Sequence, residues 1–302
     1  MSTRREFLGT VGAGLTALDA FASAPVPSVP AAPGFSLTVL ATNWGFDGSW
    51  EEFARRVAKD GYDGVEVWVM QDARDEQEFL AAMKKYGLRF GLLCGDSDRN
   101  PAVHLEQFKK AIDRAVAMKP LYINCHSGRD HFGFDDNRRI IDYSYRAAQG
   151  SGVPVHHETH RGRILYSAPI ARNYLERIPE LQLTLDISHW CAVHESLLAD
   201  QPENVQLALD RTGHVHARVG HPEGPQVSDP RAPEWGEAVK AHLAWWDAVM
   251  ARKKKAGQPM TVLTEFGPAD YMPTVPYTRQ PVADQWGINV HMKNLIRERY
   301  AG

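Results

Sequence analysis

The segment Leu181-Gln-Leu-Thr-Leu-Asp-Ile-Ser-His-Trp190 is an apolar stretch that ends in an acid and an imidazole. Its alternation predicts a β-strand with Leu183 and Leu185 on one face and Asp186 on the other. His189 follows just past the end of that strand. The segment therefore predicts a buried strand that delivers polar side chains at its carboxyl end.

Three other strand-like segments also end in residues of types that bind metal ions. They are Val153-Pro-Val-His-His-Glu158, His214-Val-His216-Ala-Arg218 and Met260-Thr-Val-Leu-Thr-Glu265. Four successive strands are thus each expected to end in a side chain able to bind a divalent cation.

Strands and helices alternate along the chain from Phe35 onward. Hydrophobic periodicity, caps and Gly/Pro breaks predict eight strands and about eight helices. The strands are expected at 36–40, 65–69, 88–94, 121–126, 153–158, 181–186, 214–219 and 260–265, and the helices at 49–60, 76–86, 105–118, 137–149, 168–177, 204–211, 235–255 and 286–300.

This alternation predicts an α/β fold with a single (β/α)₈ TIM barrel. An open sheet could show the same alternation, and the candidate ligands decide between the two. A barrel brings all carboxyl ends into one ring. In an open sheet, four consecutive strand ends lie in a row with steps of ~4.8 Å, so the outer two could not share one ion.

Composition agrees with one globular domain. The 302 residues are 43% hydrophobic and 24% charged, and the formal net charge is −3. Since DNA-binding proteins usually carry a basic face, we expect no nucleic-acid partner. A homo-oligomer remains possible.

The N-terminus resembles a twin-arginine export signal. Thr3-Arg-Arg-Glu-Phe-Leu8 precedes an apolar stretch that is too short to span a bilayer, and Ala20-Phe-Ala22 offers a small-residue cleavage site. We therefore expect a signal peptide at 1–22, a Pro/Ala linker at 23–34 and a catalytic barrel at 35–302, with no stable membrane anchor. The protein would be periplasmic or secreted. If the segment is instead a disordered tail, the protein would be cytoplasmic.

The strand ends together predict a metal centre formed by three carboxylates and one imidazole. Oxygen-rich sets of this kind suit one divalent cation, with Mn²⁺ favoured over Mg²⁺, Co²⁺ and Zn²⁺. The predicted metal ligands are Glu158, Asp186, His216 and Glu265.

The same residues suit proton transfer next to a carbonyl. A cation that polarises a carbonyl acidifies the adjacent C–H, and a carboxylate can then remove that proton. Glu158 and Glu265 come from strands separated by two others, so they could flank a bound substrate. Two bases would permit epimerisation, and one base serving both carbons would permit aldose–ketose isomerisation. We assign both glutamates to acid/base catalysis.

Further side chains are expected on the same ring of strand ends. Glu66 with Trp68 on the second strand, and His126 with Asn124 on the fourth, would face the site if the strand registers hold. Arg218 lies two residues after His216 and could donate to a substrate hydroxyl or carboxylate.

The order of Glu158, Asp186-Ile-Ser-His189, His214-Val-His216 and Glu265 resembles the xylose-isomerase-like barrel superfamily of sugar and sugar-phosphate isomerases and epimerases. The likeness spans nearly all of 35–302 and is greatest to the branch of ketose 3-epimerases and inosose or hydroxypyruvate-type isomerases. It implies a carbohydrate substrate and the metal ligands given above. It also implies that His189 contacts substrate oxygens.

Three alternatives stay open. Metal-dependent endonucleases of abasic DNA share the barrel and much of this ligand order, and Asp229 matches a further zinc ligand of theirs. Arg231 stands where their pattern has histidine. A lyase acting by β-elimination on an oxidised glycoside would share the first step, whereas a non-catalytic binding barrel would exchange no substrate protons.

Overall fold

The computed structural model describes residues 32–301. The predicted signal peptide and residues 23–31 of the predicted linker therefore lie outside the described residues. Eight parallel strands close into a barrel in the order β1 to β8. The predicted single (β/α)₈ barrel is confirmed.

The strands of the barrel are β1 (Leu37–Thr42), β2 (Gly64–Trp68), β3 (Arg89–Gly95), β4 (Ile123–His126), β5 (Val155–Glu158), β6 (Leu183–Leu185), β7 (Thr212–His216) and β8 (Met260–Thr264). The helices around it are α1 (Trp50–Lys59), α2 (Ala73–Tyr86), α3 (Pro101–Ala117), α4 (Phe134–Ser151), α5 (Ala168–Arg177), α6 (Ser188–Val193), α7 (Pro202–Asp210), α8 (Gly236–Ala256) and α9 (Gln285–Tyr300), with a 3₁₀ turn at Pro233–Trp235.

Local sequence signals set the helix ends. Ser49 caps α1 with a complete capping box, in which the Ser49 backbone N–H donates to Glu52 Oε2 at 2.9 Å. Gly87 ends α2 in the left-handed conformation at φ 66°, which glycine adopts without steric cost. α3 begins earlier than predicted, at Pro101, because Asn100 Oδ1 accepts from the backbone of the first turn.

The region after β6 differs most from the prediction. The ladder stops at Leu185, and the Asp186 backbone N–H donates to Thr159 Oγ1 at 2.9 Å. α6 follows at once from Ser188, although no helix was predicted there. The Thr159 hydroxyl takes the place of a backbone partner for Asp186. The chain therefore leaves the sheet after Leu185, and His189 lies in the short helix α6.

The barrel alternates apolar and polar faces, and this alternation positions the site. On β7, Val215 is buried in the main hydrophobic core, whereas His214 and His216 form hydrogen bonds with polar groups of other strands. On β2, Glu66 likewise lies between Val65 and Val67. The period of two therefore sends one set of side chains to the helices and a polar set to the barrel interior.

The first and last strands close the barrel. β1 and β8 pair over five positions, from Leu37 with Met260 to Ala41 with Thr264. Beyond them, the Gln285 side-chain amide donates to the carbonyl oxygens of Trp44 at 2.7 Å and Phe266 at 2.8 Å. The loops that follow these two strands are thereby joined.

Within residues 32–301, none of the helices is both long enough and apolar enough to cross a bilayer.

Candidate active site

The structure brings the four predicted metal ligands together at the carboxyl end of the barrel. Glu158 and His216 are the last residues of β5 and β7, and Asp186 and Glu265 directly follow β6 and β8. Ligand atoms of Glu158, Asp186 and His216 all lie within 4.8 Å of one another. His216 Nδ1 is 2.9 Å from Glu265 Oε2.

This set fits a hard divalent cation. Glu158, Asp186 and His216 are 0–4% exposed, and buried acidic groups are costly unless they are paired or coordinate a metal. Three carboxylates and one imidazole supply the oxygen-rich shell that Mg²⁺ or Mn²⁺ prefers. Two further groups of ligand-type atoms adjoin the set: His126 with Glu158 and His160, and Glu66 with His214 and His216.

The carboxyl groups of the site differ in pKa. Burial, together with the charges of Glu265 and Asp186, raises the pKa of Glu158 to about 8. Burial likewise raises the pKa of Asp186. Burial also acts to raise the pKa of Glu265, but His216 and Arg218 outweigh it and hold that pKa below its usual value. Before a cation binds, the site thus favours a protonated Glu158 beside an ionised Glu265.

Arg218 lies between the ligands and the predicted substrate contacts. It is 2% exposed, its Nη2 donates to Asp186 Oδ2, and the same nitrogen is 3.5 Å from Glu265 Oε2. Nη2 also donates to His189 Nε2 at 2.9 Å. His189 is fully buried under the ring of His160, at a centroid distance of 3.8 Å. The substrate contacts assigned to Arg218 and His189 remain predictions.

A cavity of about 530 Å³ opens above these residues, which is within the usual size range of small-molecule sites. Aromatic side chains make up much of its wall. Its lining includes Thr42, Asn43, Trp44, Glu66, Trp68, His126, Glu158, His160, Arg218, Glu265 and Tyr271. Glu66, His126 and Arg218 thus line the cavity as predicted for substrate-binding residues, whereas His189 lies behind it.

Several cavity residues, among them His160 and Tyr271, were not predicted as parts of the site. His160 follows Glu158 by two residues, and this spacing could have placed both on one side of the chain. Tyr271 belongs to the loop after β8. Its ring meets Trp44 edge-on at 4.9 Å and lies against the guanidinium of Arg218 at 4.7 Å.

Asp229, which matched an endonuclease zinc ligand, does not join the described ligand groups. Its carboxylate accepts from Arg231 Nε at 2.8 Å and Nη2 at 2.6 Å. Arg231, which stands where the endonuclease pattern has histidine, therefore forms an ion pair with Asp229.

A family model described as a xylose isomerase-like TIM barrel matches residues 54–267. No curated protein matches the chain significantly. Among solved structures, the chain is similar to the apo form of 3-keto-D-glucoside 4-epimerase from E. coli, with 16% identity, a TM-score of 0.58, and coverage of 87% of this chain and 100% of that chain. It is also similar to a probable 3-DHS dehydratase involved in petrobactin synthesis from Bacillus anthracis, with 15% identity, a TM-score of 0.52, and coverage of 86% and 98%. A third structure is an AP endonuclease of family 2 from Brucella melitensis, with 13% identity, a TM-score of 0.53, and coverage of 85% and 98%. At these identities the likeness shows the fold alone.

Proposed function

The chain belongs to the xylose isomerase-like TIM barrel family, and we propose that it is a divalent-metal-dependent isomerase or epimerase. The family match confirms the resemblance found in the motifs. The proposed substrate is a sugar or a sugar-derived hydroxy-carbonyl compound. One observation carries the proposal: ligand atoms of Glu158, Asp186 and His216 lie within 4.8 Å of one another, Glu265 lies 2.9 Å from His216, and both glutamates line a cavity with aromatic side chains in its wall.

The cation would be held by these four residues, with Mn²⁺ the expected metal. When bound, it would supply the charge that polarises a substrate carbonyl and acidifies the neighbouring C–H. Glu158 and Glu265 would move the proton at that carbon. In the protein without a cation, their surroundings push their pKa values apart, and a bound cation would favour the ionised form of both.

The cavity supports a carbohydrate ligand. Trp44, Trp68 and Tyr271 offer aromatic surfaces on its walls, and Trp68 is 49% exposed. His126 and His160 line the same space with ring nitrogens that can bond hydroxyl groups. Apolar walls with a few placed polar groups are typical of small-molecule sites.

Turnover in deuterated water tests the proposal. Metal-loaded protein, incubated in D₂O with a panel of unphosphorylated ketoses and 3-keto-glycosides, should place deuterium at the carbon next to the carbonyl of a substrate. Mass spectrometry and NMR of the products would locate the label. Product without label would indicate hydride transfer between carbons. An unsaturated product would instead identify the β-elimination alternative, and cleavage of abasic DNA without any sugar turnover would contradict the proposal.

We further propose export, which is supported by Arg4 and Arg5 ahead of an apolar stretch and a small-residue cleavage site. Fractionation of expressing cells should recover a shortened protein outside the cytoplasm. Substituting lysine for both arginines should retain the precursor inside. A full-length cytoplasmic product from the unmutated chain would contradict export and remove the argument for unphosphorylated substrates.

A further inference from the structure

Both ring nitrogens of His216 face carboxylates, but on opposite sides. Nδ1 lies 2.9 Å from Glu265 Oε2 and 4.0 Å from Glu158 Oε1, so it faces the proposed metal ligands. Nε2 lies 3.1 Å from Glu66 Oε1 on β2. The two nitrogens are therefore not equivalent: one faces the proposed cation and the other faces a residue outside the four-ligand set.

Several groups hold Glu66 in this place. Its carboxylate is 2% exposed, and Oε2 accepts from Tyr122 Oη at 2.6 Å. His214 Nε2 lies 3.2 Å from the same oxygen, and His214 Nδ1 lies 2.8 Å from Thr261 Oγ1, whose hydroxyl can donate to it. Glu66 Oε2 is thus in contact with Tyr122 and His214, and Glu66 Oε1 faces His216.

Asn124 bears on where the hydrogen of His216 Nε2 points. Its Nδ2 lies 2.9 Å from Glu158 Oε2 and 3.3 Å from Glu66 Oε1, so its two hydrogens can each serve one carboxylate. The opposite amide orientation would place an oxygen 3.3 Å from Glu66 Oε1, which is an acceptor. His216 Nε2 lies 3.2 Å from the same amide nitrogen. Since that nitrogen is a donor, the hydrogen on Nε2 is directed to Glu66.

We propose that Glu66 is a positioning residue that accepts the Nε2–H of His216 and so directs the free electron pair of Nδ1 toward the metal. This inference rests on the proposed metal site. A metal-binding histidine commonly donates its second ring N–H to a carboxylate or carbonyl, and that partner fixes the tautomer and the ring orientation. Glu66 thereby gains a role distinct from the substrate contact that its strand position suggested.

Metal titration of Glu66→Gln tests the assignment without any substrate. Glutamine keeps the size and one acceptor oxygen, and its amide can donate toward Tyr122 and His214, but the negative charge is lost. Affinity for Mn²⁺ should fall by about 10–100-fold relative to wild type, the range typical of such outer partners. Glu223→Gln is the matched control. It makes the same substitution at an exposed carboxylate in the loop after β7, so its affinity should equal that of wild type.

A second measurement uses the unmutated protein and does not depend on how the variant folds. Long-range ¹H–¹⁵N correlation spectra of the Zn²⁺-loaded chain should show His216 protonated on Nε2 and metal-shifted on Nδ1. Zn²⁺ on Nε2 would overturn the inference. Unchanged Mn²⁺ affinity in Glu66→Gln would do the same.

The number of ions bound per chain distinguishes a positioning role of Glu66 from a ligand role. If the wild type binds two ions and Glu66→Gln loses one entirely, Glu66 is a ligand in the group with His214 and His216, and the positioning role is wrong. If the wild type binds none, it is the proposed function that fails.

Discussion

Asp186→Ala and His216→Ala should each lose most of the affinity for a divalent cation, by more than the ~100-fold that outer partners can cost. Each change removes one donor from a set whose atoms already converge within 4.8 Å. In Asp186→Ala, Arg218 also loses the carboxylate to which its Nη2 donates. The purified wild type should carry about one divalent ion per chain, measured by elemental analysis and titration.

Asp229→Ala is the matched control for that loss. Its carboxylate is engaged by Arg231, so the variant should keep the wild-type metal content under the proposed function. If Asp229→Ala lost an ion as Asp186→Ala does, the endonuclease-like arrangement would be favoured. Full metal retention in both Asp186→Ala and His216→Ala would refute the assigned centre.

Glu158→Gln and Glu265→Gln should lower turnover by roughly two to four orders of magnitude, the usual range for general acid/base catalysis. Glutamine keeps the side-chain length and one ligand oxygen but can no longer accept or return a proton. Substrate binding should fall less than turnover does, provided that the metal stays. Initial rates and metal content must be measured in the same samples, because a lost ion would lower turnover for another reason.

Glu223→Gln supplies the comparison for these variants. Glu223 is exposed in the loop after β7 and does not line the cavity, so its variant should turn over substrate as the wild type does. Wild-type turnover in Glu158→Gln with metal bound would remove Glu158 from acid/base catalysis. A single-base isomerase relying on Glu265 would then be the remaining mechanism.

The barrel and its ring of strand-end ligands could be predicted because both follow from short-range patterns. Period-two alternation identifies each strand, and a parallel barrel sends every carboxyl end to one face. Asp186 and Glu265 are found in this way even though each lies one residue beyond its strand. Local caps also set some helix ends, as Ser49 and Gly87 show.

Other features could not be predicted because they depend on contacts between distant segments. Tyr271 enters the cavity through its packing on Trp44 and Arg218, which no local pattern encodes. α6 forms where Thr159 replaces a strand partner of Asp186. The sequence places Glu66 on the ring, but only the distances across the barrel show that its Oε1 meets His216.

Because β8 closes the barrel by pairing with β1, the proposed site is complete only in the closed barrel. A chain folded only as far as β7 would contain three of the four proposed ligands. It would lack Glu265 and also Tyr271, whose ring packs against Trp44. When β8 pairs with β1, Glu265 joins the other proposed ligands. Gln285 then links the loops that follow these two strands, and Tyr271 reaches the cavity. Partly folded chains would thus be unable to hold the ion firmly, and reactive chemistry would begin only in molecules whose barrel had closed.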